Sequence, residues 1–314
     1  MKKAIIVGAG MSGLIAATML GDQVDGIAEF ESDVPNKHKA LLRFRTSVVG
    51  DTVNIPFKKV KVLKTKHTCN NEVADAITYS LKATGQANLR SIMSADDKIV
   101  DRFIAPNDFI SQLANRLKGN FVFNMPMLKV LQDRKDNQPI ISTIPMNALM
   151  FALEYPDIPD FKTRTGTVLT YELPDNFDIY CTVYIPDPWA IPYRVSITGR
   201  TLIIEASGNI ETNDGVMNMI ETAVNSLSLQ IDEGEIFAKA KTHSMKYAKI
   251  SPIDEDERKQ FIMWASREHN IFSLGRYACW RPSTLLDDLV NDVRVIQRLI
   301  SGDKSHQYNQ MKGK

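Results

Sequence analysis

The chain has 314 residues, with 38 Lys and Arg against 37 Asp and Glu, 44% apolar and 24% charged positions, and 3 cysteines. At roughly 150 residues per domain this length suggests two domains with ample core; the ordinary composition excludes a disordered chain, and glycines without a three-residue period exclude a collagen-like one. Cys69, Cys181 and Cys279 form neither a disulfide framework nor a metal-ligand spacing, and His38, His67, His243, His269 and His306 include no metal-site pair, so the expectation is a cytoplasmic protein that is not a zinc enzyme.

Residues Ala4 to Gly21 carry no charge and follow Lys2 and Lys3, a pattern shared with signal peptides and short membrane spans. Gly8, Gly10 and Gly13 weaken any continuous apolar helix there. The run reads instead as a buried strand from Ala4 to Val7, a glycine turn, and a helix from Ser12 to Leu20. No other uncharged stretch approaches a membrane span, so no membrane association is expected.

Gly8-Ala9-Gly10-Met11-Ser12-Gly13 follows a strand and opens a helix, which is the context a dinucleotide-binding turn requires. The first glycine allows the turn and the second lets the backbone approach a pyrophosphate. The third lets helix and strand pack closely, and the helix N-terminus offers free N–H groups. A second apolar stretch, Val24 to Phe30, ends at Glu31, where a carboxylate should meet an adenosine ribose. A chance glycine turn in an unrelated α/β protein is the competing reading. Glu29 interrupts the second strand and has no assigned role.

Further along, Pro106-Asn107-Asp108 precedes an amphipathic helix, Phe109 to Leu117, with a capping residue at its start and Gly119 as its stop. Strands are expected at Asn120 to Phe123, Leu128 to Gln132 and within Pro139 to Pro145. From Gly166 to Ala206 the pattern is β-rich, with strands Thr167 to Leu173, Tyr180 to Ile185, Tyr193 to Thr198 and Thr201 to Ala206. Gly199-Arg200 forms a hairpin loop between the last two. Helices follow at Asp214 to Leu227, Asp254 to Arg267 and Leu285 to Leu299. This order predicts an α/β protein in which a discontinuous Rossmann-type domain (1–58, 99–150 and 268–314) carries an inserted β-rich α+β substrate domain (59–98 and 151–267). A nucleotide-binding unit interrupted in this way favours FAD over NAD.

Between Lys37 and His67, nine lysines and arginines face one acidic residue, Asp51. Such asymmetry points to an anionic partner: a nucleotide-sugar diphosphate, a carboxylate substrate or nucleic acid. The alternative is a solvated strand, Lys58 to Lys64, whose lysines protect a sheet edge. Tyr184 to Trp189, leading to Tyr193 and Arg194, offers stacking surface and an anion contact, although a buried aromatic core also explains Trp189.

Three segments together resemble the FAD-dependent amine oxidase and UDP-galactopyranose mutase superfamily: Val7 to Gly13 with Glu31, Ile141-Ser-Thr143-Ile-Pro145, and Asn270 to Arg281 with the last helix. The resemblance implies an FAD-binding fold. It sets Arg276, after Gly275, against the pyrophosphate, and Thr143 beside the cofactor. Ser283, Thr284 and Leu285 would open the last helix toward the flavin pyrimidine ring, and Met127 would lie near adenine. Ser32 continues the ribose segment. Arg43 and Arg45 would clamp phosphate or carboxylate, and Arg45, Arg194, Trp280 and Arg281 are the candidate catalytic residues. The Gly-Gly pair usual after the ribose glutamate is absent, as is the aspartate that mutases carry at the position of Thr284. More distantly, the chain resembles bacteriophage flavoenzymes that process hypermodified thymine in DNA.

The expected activity is oxidation of an amine or amino-acid-like group with C–N cleavage, the cofactor performing the hard step and the protein orienting an anionic substrate, free or attached to nucleic acid. A mutase-like non-redox use of flavin on a nucleotide sugar, and a non-catalytic nucleotide-binding module, are the alternatives.

Overall fold

The computed structural model describes residues 2–35, 42–67, 71–87 and 97–302. In chain order the strands are β1 (Ala4–Val7), β2 (Val24–Ala28), β3 (Lys58–Lys66), β4 (Lys98–Ile104), β5 (Phe121–Val122), β6 (Ile140–Ser142), β7 (Thr163–Glu172), β8 (Ile179–Tyr184), β9 (Pro192–Gly199), β10 (Thr201–Ser207), β11 (Lys241–Ile250) and β12 (Ile271–Ser273). The helices are α1 (Met11–Leu20), α2 (Val48–Val53), α3 (Glu72–Thr84), α4 (Phe109–Arg116), α5 (Met127–Asp133), α6 (Met146–Ala152), α7 (Asn213–Leu227), α8 (Glu233–Lys239), α9 (Glu255–His269) and α10 (Leu286–Ile300).

Five strands form a parallel sheet in the order β12-β6-β1-β2-β5. Both of its faces are covered, so its strands read as nearly unbroken apolar runs. On one face Ile6 and Ile141 pack with Leu14, Ile15, Leu113 and Val293 from α1, α4 and α10. On the other, Val7, Ile140 and Ile271 pack with Met127, Leu149, Phe261 and Trp280. The segment once open to a signal-peptide reading is therefore β1, a turn and α1, in the centre of this core. Among the described residues no helix is long and apolar enough to cross a membrane.

Seven strands form a second, mixed sheet in the order β11-β7-β10-β9-β8-β3-β4, in which β3 and β8 run parallel and the other pairs antiparallel. One face packs Leu169, Val195, Ile197 and Ile204 against α7 and α8. The opposite face of β9 carries Arg194, Ser196 and Thr198, because successive side chains alternate across the sheet. Residues 99–104, grouped with the first unit on sequence, hydrogen-bond in this second sheet as part of β4.

Two expected elements differ. Leu128 to Gln132 lie in helix α5, entered through Pro126; Met127 and Val130, three apart, bury one helical face. A short apolar run has no decisive period, and here a proline-led start and three-residue spacing favour the helix. The lysine strand is not an edge either: β3 lies between β8 and β4. Asp108 holds the N-cap position of α4 as expected, but its carboxylate accepts from Gln112 Nε2 at 2.9 Å rather than from the first-turn backbone.

The link between the two sheets is anchored at Phe44. Its backbone exchanges two hydrogen bonds with Phe103, at 2.9 and 3.0 Å, and its ring meets Phe57 and Phe109 at centroid distances of 4.7 and 6.4 Å. With the residue 1% exposed, Phe44→Ala leaves a cavity and is expected to cost about 3–5 kcal/mol. Urea denaturation measures it, and wild-type stability would contradict this anchoring.

Candidate functional site

The site begins where β1 ends. Gly8 has φ +101°, a conformation that favours glycine, and its N–H bonds Ala28 O at 2.8 Å. A Cβ at Gly8 would lie 2.3 Å from Thr143 Oγ1, whose hydroxyl donates to Val7 O and Gly8 O. A Cβ at Gly13 would lie 1.9 Å from Gly8 O, so helix and turn touch backbone to backbone. Gly10 differs: a Cβ there would meet nothing within 4 Å. Gly10 is also the N-cap of α1 and supplies no side-chain cap, so the first turn of the helix begins beside that open space with its N–H groups uncapped by a side chain.

The acidic residue facing this turn is Glu29, not Glu31. Glu29 is buried, its Oε2 accepts from Ala9 N–H at 2.5 Å, and its Oε1 accepts from Glu31 N–H at 3.0 Å. Glu31 and Ser32 are exposed. Helix α1 is followed at once by a 3-10 turn, Gly21–Gln23, so β2 ends at Ala28, earlier than counting from Gly13 suggests. The charge interrupting an apolar strand was the signal for Glu29.

The distant C-terminal segment closes the other side. β12 lies beside β6, Leu274 N–H bonds Ser142 O at 2.9 Å, and the chain turns at Gly275, where φ is +91°. A Cβ on Gly275 would lie 2.7 Å from Ser12 Oγ. The opening turn and the Gly275-Arg276 segment are thus in direct contact. Tyr277 O accepts from Met146 N–H at 3.0 Å, which ties the segment to the start of α6 just after Thr143 and Pro145.

Six buried side-chain polar atoms lack a hydrogen-bond partner among the described residues, and five belong to these segments: Ser142 Oγ, Asn147 Oδ1, Ser273 Oγ, Arg276 Nε and Thr284 Oγ1. Buried polar groups are normally paired, so this cluster marks where a polar ligand belongs. Leu285 is the N-cap of α10, its N–H held by Asp288 Oδ2 at 2.9 Å; Thr284 precedes the cap and Ser283 is exposed. Cys279 is a packed thiol, pushed up to about 11 by burial, with Sγ 3.3 Å from Ser273 O.

Other expected site residues are occupied differently. Arg43 donates to Thr198 Oγ1, Thr182 Oγ1, Cys181 O and Ile197 O, bolting the 42–47 segment to β8 and β9 rather than clamping phosphate. Burial lowers it to about 10. Arg45 is exposed; its N–H and that of Thr46 bond the Asp287 carboxylate at the start of α10. Arg194 pairs with buried Glu205 through two contacts of 2.5 and 2.6 Å. Trp280 is 1% exposed, donates to Ser251 O and packs on Phe161, making it core. Arg281 is exposed beside Asp292. Met127 is buried in α5, not on a strand. Trp189 is 88% exposed. Lys37 and Lys39 lie outside the described residues.

Lys249 went unnoticed on sequence. It lies 5.1 Å from the Tyr193 ring centre, and burial, with Arg194 and Arg276 nearby, lowers it to about 8. It therefore stands between the Arg276 segment and the polar face of the second sheet.

No protein family and no curated protein matches the chain. Solved structures do. Reduced UDP-galactopyranose mutase aligns with a TM-score of 0.69 at 12% identity, over 96% of this chain and 94% of that one. A redesigned putrescine oxidase aligns at 0.55 and 12%, over 96% and 98%, and glycine oxidase from Bacillus cereus ATCC 14579 at 0.55 and 11%, over 98% and 97%. The chain has the two-sheet α/β fold of these proteins.

Two outcomes follow. Gly13→Ala should prevent normal folding, whereas Gly10→Ala should change stability by less than about 1 kcal/mol yet abolish dinucleotide binding; equal ligand loading of Gly10→Ala and wild type would contradict the cradle. Lys64 and Lys249 both titrate near 8 rather than at 10.5. Between pH 8 and about 9.5 the unfolded chain holds more protons on these two lysines, so their contribution to stability rises with pH there, while Cys279, pushed up to about 11, opposes it. Above that, buried Tyr79, whose pKa is raised, opposes the trend. Urea midpoints across this window should rise less in Lys249→Met, and parallel curves would contradict the assignment.

Proposed function

We propose that this chain is an FAD-dependent oxidoreductase acting on an amine or amino-acid-like group. The observation that carries the reading is the meeting of the opening glycine turn with Gly275 and Arg276, around a cluster of unpartnered buried polar atoms. These residues fit a dinucleotide. Open space at Gly10 and the N-terminus of α1 suit its pyrophosphate, with Arg276 on the other side. Glu29, at the end of β2, suits the adenosine ribose. Thr284, Leu285 and the start of α10 suit the flavin ring, where partial positive charge favours an electron-rich pyrimidine.

When bound, the flavin supplies the hydride acceptor. The chain's own residues orient and shield. Gly275, φ +91°, brings the last helix against α1, and Asp287 holds segment 45–46 over the start of that helix. No strong base is required of the protein, because the hydride acceptor is the cofactor's. Lys249, depressed toward neutrality with Arg276 among the charges around it, suits holding or relaying a proton.

A second reading, a non-redox mutase-like use of reduced flavin, is supported by the higher TM-score to UDP-galactopyranose mutase and by Arg276 after Gly275. The two readings differ in the flavin state they need. The purified protein should show oxidised-flavin absorption that an amine substrate bleaches without oxygen. Turnover only after dithionite reduction would favour the mutase reading, and a colourless protein binding no FAD would contradict both.

A further inference from the structure

We propose that Lys64, Arg102 and Arg45 form a phosphate-binding subsite on the polar face of the second sheet, so that the substrate brought to the flavin carries a phosphate group. The use of the subsite rests on the flavin reading; its construction does not. Alternation along β3 turns Val60, Val62, Lys64 and Lys66 to one face, and register places Lys64 beside Thr182, Lys66 beside Tyr184, and Val60 beside Arg102. Arg194 of β9 continues this face next to Tyr184.

Lys98 lies opposite Lys64 on this face, and Arg102, Arg45, Arg194 and Arg43 gather around Lys64; Lys66 and Arg194 are matched by bonded carboxylates. Lys66 meets Asp75 at 2.7 Å, both buried, and Arg194 meets Glu205. Arg43 is spent on neutral oxygens of β8 and β9. Lys64, Arg102 and Arg45 have no side-chain bond to a carboxylate among the described residues. Among the described residues the Arg102 side chain donates to the carbonyl of Asp101 alone, and the Asp101 carboxylate is taken by Lys59 on the other face at 2.8 Å.

Lys64 is half-buried and surrounded by Arg102, Arg45, Arg194 and Arg43; burial and these four charges depress it to about 8. Clustered, partly desolvated like charges are unfavourable until an anion joins them. Two guanidinium groups and an ammonium match the charge and oxygen number of a phosphate better than a single carboxylate. The exposed lysines Lys59 and Lys61 of the opposite face show the contrast, being solvated or paired. From this subsite, Arg194 and Lys249 lead back toward Arg276.

Titration of the flavin-loaded protein with inorganic pyrophosphate at low salt tests the subsite. Saturable binding is expected, weakened about tenfold or more in Lys64→Met and in Arg102→Met, and less than about twofold in Lys61→Met, which removes the same charge from the other face. Absence of saturable binding, or equal weakening in Lys61→Met, would overturn the subsite. A short DNA duplex, run in parallel, identifies the phosphate's source: Lys64→Met-sensitive duplex binding points to a nucleic-acid phosphate, and its absence beside Lys64→Met-sensitive pyrophosphate binding points to a free one. Visible spectra of the same samples separate the two readings. Yellow protein that ignores pyrophosphate removes the subsite alone, and colourless protein that binds it removes the flavin reading alone.

Discussion

Everything in this molecule depends on backbone segments approaching closer than side chains allow. At Gly13 the helix rests on the turn, at Gly8 the turn rests on Thr143, and at Gly275 the C-terminal segment rests on Ser12. These contacts occur at the carboxyl ends of β1, β6 and β12, where a parallel sheet leaves a crevice flanked by helix N-termini. Residues more than two hundred positions apart thereby form one cradle. Of the glycines in this cradle, Gly10 keeps its space free, which is what a ligand needs.

The second sheet solves a different problem. Its apolar face is sealed by α7 and α8, while its other face holds Thr182, Ser196 and Glu205 almost fully buried. Such groups are tolerated because they are bonded: Arg43 reaches across two strands to satisfy four oxygens, and Arg194 neutralises Glu205. Arg43 also fastens the segment from the cradle to the sheet, while Asp287 fastens its neighbours to the last helix. Removing either partner of the Arg194–Glu205 pair would leave a buried charge, so this face is ordered as well as polar.

The cradle was legible because its chemistry is local and its residue types are restrictive. A glycine turn between strand and helix, a Thr-x-Pro after a buried strand, and Gly275-Arg276 before an amphipathic helix each state a backbone requirement in sequence. What escaped depends on three-dimensional registration. Glu29 and Glu31 differ only in where β2 stops, which the short turn after α1 decides. Lys58 to Lys66 has the lysine alternation of an edge strand, and only pairing with both β8 and β4 shows that it is interior. Arg43 and Trp280 carry types common at ligand sites, yet neighbours distant in sequence absorb them into structure.

The central claim is that the cradle holds an adenine dinucleotide form of flavin, with contacts to the pyrophosphate and ribose beyond those to the ring. Flavin-fluorescence titration of the apoprotein with FAD and with FMN measures this most directly. FAD should bind far more tightly than FMN, with that preference lost in Gly10→Ala, since only FAD carries the adenosine and pyrophosphate that Glu29, the start of α1 and Arg276 are proposed to hold. Equal affinity for the two flavins, or for neither, would contradict the account.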